Sequence, residues 1–214
     1  MIGVCNLHDR GIYVQSFNAI SDQMVTQSER RASTSHALRL AARELFGTRG
    51  FDHVSVDDIA AAAGVTRGAL YHYFDSKEQL FEAVFEEVET GLVERVVRAS
   101  FTSTDSEQRL RDGCDAFIDA TADRELSRIA LIDAPAVLGW FRYRELDEQY
   151  FLALLRTAID AVRDSAPAED NEMIARALLG GLCELAVRAA THPGERAAAK
   201  RAAGTLVAAV ARPL

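Results

Sequence analysis

Residues 55–77, SVDDIAAAAGVTRGALYHYFDSK, constrain this chain more than any other stretch, because they describe two short helices joined by a tight turn. Ser55 is placed to cap a helix whose third residue is Asp58, a capping box with Asp where Glu or Gln is more usual. Val56, Ile59, Ala60 and Ala63 then fall on one face, and Gly64 supplies the backbone freedom that a sharp turn between crossing helices needs. Thr66 is placed to cap the second helix, and Leu70 and Tyr73 return to its inner face. The pattern reads as a helix-turn-helix.

The outward face of that second helix carries Thr66, Arg67, Tyr71 and His72. A hydroxyl, a guanidinium, a phenol and an imidazole lie within about 9 Å of helix, at about 1.5 Å per residue. Such groups suit phosphate oxygens and base edges, and Gly68, with no side chain, lets the backbone approach a groove wall. Spacing alone is equally compatible with a purely structural helical hairpin. Ser76 can cap the following helix with Gln79 as its partner, yet Lys77 then stands in the first turn, where the helix dipole disfavours a cation. A nearby phosphate would make sense of that placement.

The run from Thr34 to Val88 makes the pattern more specific. It has an alanine-rich first helix ending in Leu45-Phe46, then Gly50-Phe51, Ser55-Val56 and Ala60 to Val65. Gly68-Ala69-Leu70-Tyr71-His72-Tyr73-Phe74 and Ser76-Lys77-Glu78 follow. This string, about a quarter of the chain, resembles the DNA-binding domain of TetR-family transcriptional regulators. The resemblance implies an all-α protein in which an N-terminal helix-turn-helix domain of three helices is joined by a long helix to a C-terminal helical domain that binds a ligand and dimerises. It also implies that Ser55, Thr66, Arg67, Gly68, Tyr71, His72 and Lys77 occupy positions that contact DNA in relatives. Arg67 is the candidate for reading a base. Ser55, Tyr71, His72 and Lys77 are candidates for holding phosphates.

The remaining composition fits this division. Of 214 residues, 49% are hydrophobic, enough for a sizeable core, and no apolar run is long enough to cross a membrane. The opening residues lack a basic region followed by an apolar block, so a cytoplasmic location is expected. Cys5, Cys114 and Cys183 are odd in number and widely spaced, which indicates neither a disulfide framework nor a zinc knuckle, and no metal or cofactor is expected. The net charge of −8 sits in the C-terminal portion, whereas residues 28–77 are slightly positive, so contact with nucleic acid is expected there. Residues 1–27 show no sustained period and read as a disordered extension, with Met24 as an alternative start. The expected divisions are thus 1–27, a reader over 28–77 and a body over 78–214.

Within the body, apolar residues recur at helical spacing. Leu80, Phe81, Val84, Phe85, Val88, Leu92 and Val96 predict a long helix from Ser76 to about Ser100. Leu110 to Thr121 predicts another, followed by a short helix over 124–133 that Pro135 ends or kinks, and by one long aromatic helix to about Asp164. Stripes including Met173, Leu178 and Leu182 and then Ala198, Ala202 and Leu206 predict two final helices, stopped and restarted around His192-Pro193-Gly194. In relatives such a pair forms the homodimer's four-helix bundle, although core packing gives the same stripe. The resemblance further implies an effector site in the body, and the helices expected to line it carry Phe117, Ile118, Trp140, Phe141, Tyr143, Tyr150 and Cys183. That wall suits a small hydrophobic or aromatic molecule.

The function expected is therefore a sequence-specific DNA-binding regulator, most often a repressor in this family, which as a homodimer reads a palindromic double-stranded operator and is released by a small ligand. One alternative is a helical DNA-binding regulator controlled by a partner protein without a small ligand. The other is an all-helical enzyme, against which stands the lack of a readable phosphate loop or catalytic neighbourhood.

Overall fold

The computed structural model describes residues 8–163 and 167–212, and among them regular structure is entirely helical. The first helix, α1, runs from His8 to Arg49. The sequence pattern predicts no regular structure before residue 28, and α1 departs from it by beginning at His8; residues 1–7 lie outside the described residues. Residues 27–33 are exposed on every side of the helix, and burial begins only with Leu38. Extending a formed helix adds one hydrogen bond per residue fixed, so no apolar stripe is needed to carry it outward from the packed part.

A short 3-10 turn, Phe51–His53, leads to α2 (Val56–Ala62), α3 (Arg67–Tyr71) and α4 (Lys77–Ser100). Each start is capped as its sequence indicates. The Ser55 hydroxyl accepts from the Asp58 amide at 3.1 Å while the Ser55 amide donates to Asp58 Oδ2 at 2.9 Å, and Thr66 and Ser76 accept from the amides of Ala69 and Gln79. The bend after α2 closes with Gly64 at φ 69°, its amide donating to Ala61 O and that of Val65 to Ala60 O. This pair of bonds satisfies two terminal carbonyls of α2 and turns the chain into α3. Beneath the bend, Phe46, Phe51 and Phe81 meet ring to ring at 5.2–5.5 Å, with Leu38, Ile59 and Leu70 fully buried around them. Each such side chain contributes about 1.5–3 kcal/mol by leaving water.

The body comprises α5 (Ser106–Ala120), a single turn α6 (Arg124–Leu126), a π-helical turn (Ser127–Asp133), α7 (Ala134–Leu138), α8 (Trp140–Val162), α9 (Ala168–Thr191) and α10 (Arg196–Val210). Pro135 marks a boundary as expected, the 124–133 stretch ending at Asp133. It stands in the first turn of α7, where its missing amide hydrogen costs little, and the widened turn before it accommodates the ring. A second break falls at Gly139, whose φ of 75° separates α7 from α8 where the sequence pattern predicts one continuous helix.

Helix α4 spans about 36 Å at about 1.5 Å per residue and belongs to both halves. Leu80 and Phe81 complete the core beneath α2 and α3, and Leu92 and Val96 are buried in the body. Further bonds tie α1 and the 3-10 turn to α4 and the body: Arg39 pairs with Glu87, Arg43 with Glu125, and the Phe51 amide donates to Asp133 Oδ2 at 2.9 Å. Gly50 gives a further approach, lying against the Arg128 side chain. It sits at φ 83°, and a Cβ there would lie 2.1 Å from Arg128 Nη2. Among the described residues no helix is long and apolar enough to cross a membrane.

Candidate nucleic-acid interface and effector cavity

Two regions hold the chemistry, the outer face of α3 and the interior of the body. On α3, Thr66, Arg67, Gly68, Tyr71 and His72 are all exposed, whereas Leu70 on the opposite side is fully buried. Arg67 Nη1 donates to Asp57 Oδ2 at 2.8 Å and its guanidinium lies 5.7 Å over the Tyr71 ring. The Asp57 carboxylate foremost, then the Tyr71 hydroxyl, push the Arg67 guanidinium further up, so it stays charged. Both partners are solvated, so Arg67 can exchange Asp57 for another acceptor at little cost. A Cβ at Gly68 would meet nothing nearer than Thr66 Oγ1 at 4.0 Å. Packing within the chain therefore does not call for glycine here.

Two of the sequence-derived positions have internal duties. The Ser55 hydroxyl both accepts from the Asp58 amide and donates to Asp58 Oδ2 at 2.6 Å, and the two Ser55 bonds hold the Asp58 carboxyl below its usual range. Lys77 Nζ donates to the carbonyls of Phe51 and Val54 at 3.0 Å each and lies 3.8 Å from the Phe51 ring centroid. Those carbonyls, with no phosphate involved, account for a cation in the first turn of α4. Arg31, absent from the sequence-derived set, lies 5.8 Å over the Tyr73 ring and brings a guanidinium beside α3. The Arg30-Arg31 pair is its only sequence signal.

A cavity of about 260 Å³ lies between α4, α5, α8 and α9. Val96 and Phe101 approach it from one side and Cys114 and Phe117 from α5, while Phe151 and Leu182 close it from α8 and α9. Burial pushes the Cys114 thiol up to about 12, so it stays protonated.

Of the seven effector-site residues read from the sequence, the structure places only Phe117 in this wall. Ile118 is wholly buried in the core, and Trp140 and Phe141 are 63% and 89% exposed at the start of α8. Tyr143 and Cys183 belong to a separate buried polar group, with Tyr150 half-buried nearby.

That group joins Glu89 of α4 to Asp147 of α8 and Cys183 of α9. Glu89 is 3% exposed, and its Oε2 has no hydrogen-bond partner among the described residues. Burial, then the charge of Asp147, pushes the Glu89 carboxyl up to about 8. Asp147 accepts from Arg144 Nη1 at 2.6 Å and faces Cys183 Sγ at 3.8 Å. Burial outweighs those partners and raises its carboxyl to about 6. Cys183 and Tyr143 are also pushed up, burial being the largest cause.

Known proteins share both the reader and the body. The family described as bacterial regulatory proteins, tetR family, matches residues 38–84, and the tetracyclin repressor-like C-terminal domain matches residues 107–214. The Transposon Tn10 TetC protein of Escherichia coli is 24% identical over 76% of this chain and 83% of its own length. The HTH-type transcriptional activator FasR of Mycolicibacterium smegmatis is 43% identical over 38% of this chain and 37% of its own. A TetR-family transcriptional regulator of Pectobacterium atrosepticum superposes with a TM-score of 0.71 at 28% identity, covering 85% of this chain and 94% of that one. The C-terminal match alone spans half of the sequence and adjoins a helix-turn-helix with an exposed polar reading face: the chain belongs to the TetR family of DNA-binding transcriptional regulators.

Proposed function

We propose that this regulator acts as a homodimeric repressor that places α3 of each subunit in the major groove of a two-fold-symmetric operator and leaves it when a small, largely apolar effector fills the cavity. The observation that carries the reading is the exposed face of α3, where Thr66, Arg67, Tyr71 and His72 surround a glycine that the fold itself does not require. Residues 28–77 serve as reader and 78–214 as body, with α4 passing from one into the other. Because α4 contributes Leu80 and Phe81 to the reader core and Val96, Val97 and Ser100 to the cavity wall, an occupant that shifts its far end also tilts the reader. The cavity favours a small molecule over control by a partner protein alone.

Arg67 is the base-reading candidate, with a guanidinium suited to guanine O6 and N7. Tyr71, His72 and Arg31 hold phosphates, while Ser55 and Lys77 act chiefly by shaping the backbone beneath them. Selection of the purified chain against random duplexes tests the reading. A short motif repeated with two-fold symmetry should be enriched, and its affinity should fall steeply with salt as counterions are released. Enrichment of no symmetric motif would overturn it.

A further inference from the structure

The cavity has an apolar interior and one charged wall residue, and that asymmetry constrains what it takes. Of the residues that line it, Arg109 alone is ionised. Its Nε donates to Ser100 O at 3.2 Å, and its guanidinium carbon lies 4.8 Å over the Phe101 ring, so the fork is held from two directions. No carboxylate among the described residues bonds its two Nη atoms. Phe101 is 69% exposed and lines the same end, which marks where the cavity meets solvent.

The other polar wall groups narrow the choice further. The Ser100 hydroxyl donates to Val96 O at 2.9 Å and the Thr157 hydroxyl to Ala153 O at 2.8 Å, so both protons are engaged within their own helices. The Arg109 Nη atoms and the Ser106 hydroxyl are left as donors. Among the described residues no carboxylate lines the wall to oppose an anion or to receive a cation. Further in, Phe117, Phe151, Leu155, Leu179 and Leu182 offer only hydrocarbon.

We propose that the cavity binds an amphipathic organic carboxylate, its head on the Arg109 guanidinium and its apolar body against Phe117 and Phe151. The inference rests on the reading of this cavity as the effector site and adds the chemical class of the effector. A guanidinium and a carboxylate pair through two parallel hydrogen bonds, which an alcohol of equal length cannot form. The acidic body disfavours anions at long range, but that field is screened beyond about 8 Å at physiological salt, so contact with Arg109 decides. At about 260 Å³ the cavity lies just below the usual range of ligand sites, which run from about 300 Å³ upward, and this favours a medium-length chain or a single ring over a polycyclic molecule.

The test uses the full chain and three probes of equal length, decanoate, decanol and decylamine, kept below their aggregation concentrations and titrated calorimetrically at neutral pH. Decanoate should bind about tenfold more tightly than either of the others, the margin expected of a charge-assisted bond. Arg109→Gln should erase that margin while decanol binding stays unchanged, and Arg109→Lys, which keeps the charge without the fork, should retain part of it. Thermal melts of both variants without ligand check that they fold. Equal binding of decanoate and decanol, or a preference that survives Arg109→Gln, would overturn the carboxylate assignment and leave the cavity as an apolar effector site. Preference for decylamine would overturn it too and direct attention to Glu89 and Asp147. Binding by none of the three would remove both this inference and the reading beneath it.

Discussion

Lys77 and Arg67 are both cations of the reader, yet the structure gives them opposite work. Lys77 bonds two carbonyls and covers an aromatic ring, so Lys77→Ala should lower stability by roughly 1–3 kcal/mol and weaken binding to all DNA sequences alike. Arg67 has only solvated partners. Arg67→Ala should leave the melting temperature nearly unchanged, cost roughly 1–3 kcal/mol of operator binding per half-site and relax base preference at one symmetric position. Melting curves and binding titrations on the two variants separate the roles, and a Lys77→Ala protein of unchanged stability would contradict the first. Glu89 bears on pH. Its folded carboxyl titrates near 8, above the ordinary value of 4.5, so the folded state binds the extra proton between those limits. The resulting stability is complete below about 4.5 and is lost as pH rises through about 8. Asp147 acts in the same direction up to about 6. Urea unfolding should therefore show stability falling from pH 6 to pH 8, and Glu89→Gln should flatten that fall; an unchanged slope would mean that Glu89 is not the group responsible.

At the scale of elements, what the sequence made legible is whatever local chemistry decides. Ser55, Thr66 and Ser76 cap the helices they precede because a cap is a bond across three residues. Pro167 and Pro193 likewise mark real boundaries. Gly139 escaped because the apolar spacing of Val137 and Leu138 runs on into Tyr143 and Leu146 with only one residue out of register, so a stripe count sees no break. The role of Lys77 escaped for another reason: its carbonyl partners lie 23 and 26 residues away and meet it only once the 3-10 turn has folded. The cavity wall was hardly legible. Counting aromatics selects Trp140 and Phe141, which the turn at Gly139 leaves in solvent, whereas the wall is largely Val, Leu and Ala whose spacing is that of ordinary core. Which core stripe stands back far enough to leave a cavity depends on how four helices approach one another, and no single stretch of sequence carries that information.

At the scale of the molecule, α9 and α10 present a face that the described residues do not cover. Leu182, on a stripe that could equally face a partner, is buried and lines the cavity, so the outward face is a different one. Met173, 60% exposed, shares a side of α9 with Ala177, Gly180 and Glu184, and Leu206 of α10 is exposed beside Gly181. A glycine in a helix interior costs about 0.8–1.0 kcal/mol relative to alanine. Among the described residues a Cβ at Gly180 would meet nothing within 4 Å, so no contact there explains that cost. Close approach of a second copy would, since small residues let helices pack at short range. Light scattering at micromolar concentration should find the unaltered protein dimeric. Gly180→Arg should yield monomers of undiminished helical content, because the larger side chain has open space within its own subunit and meets an obstacle only in the partner. Loss of the dimer should also collapse affinity for the symmetric operator toward that of a single half-site. A dimer that persists in Gly180→Arg would place the interface elsewhere on the body.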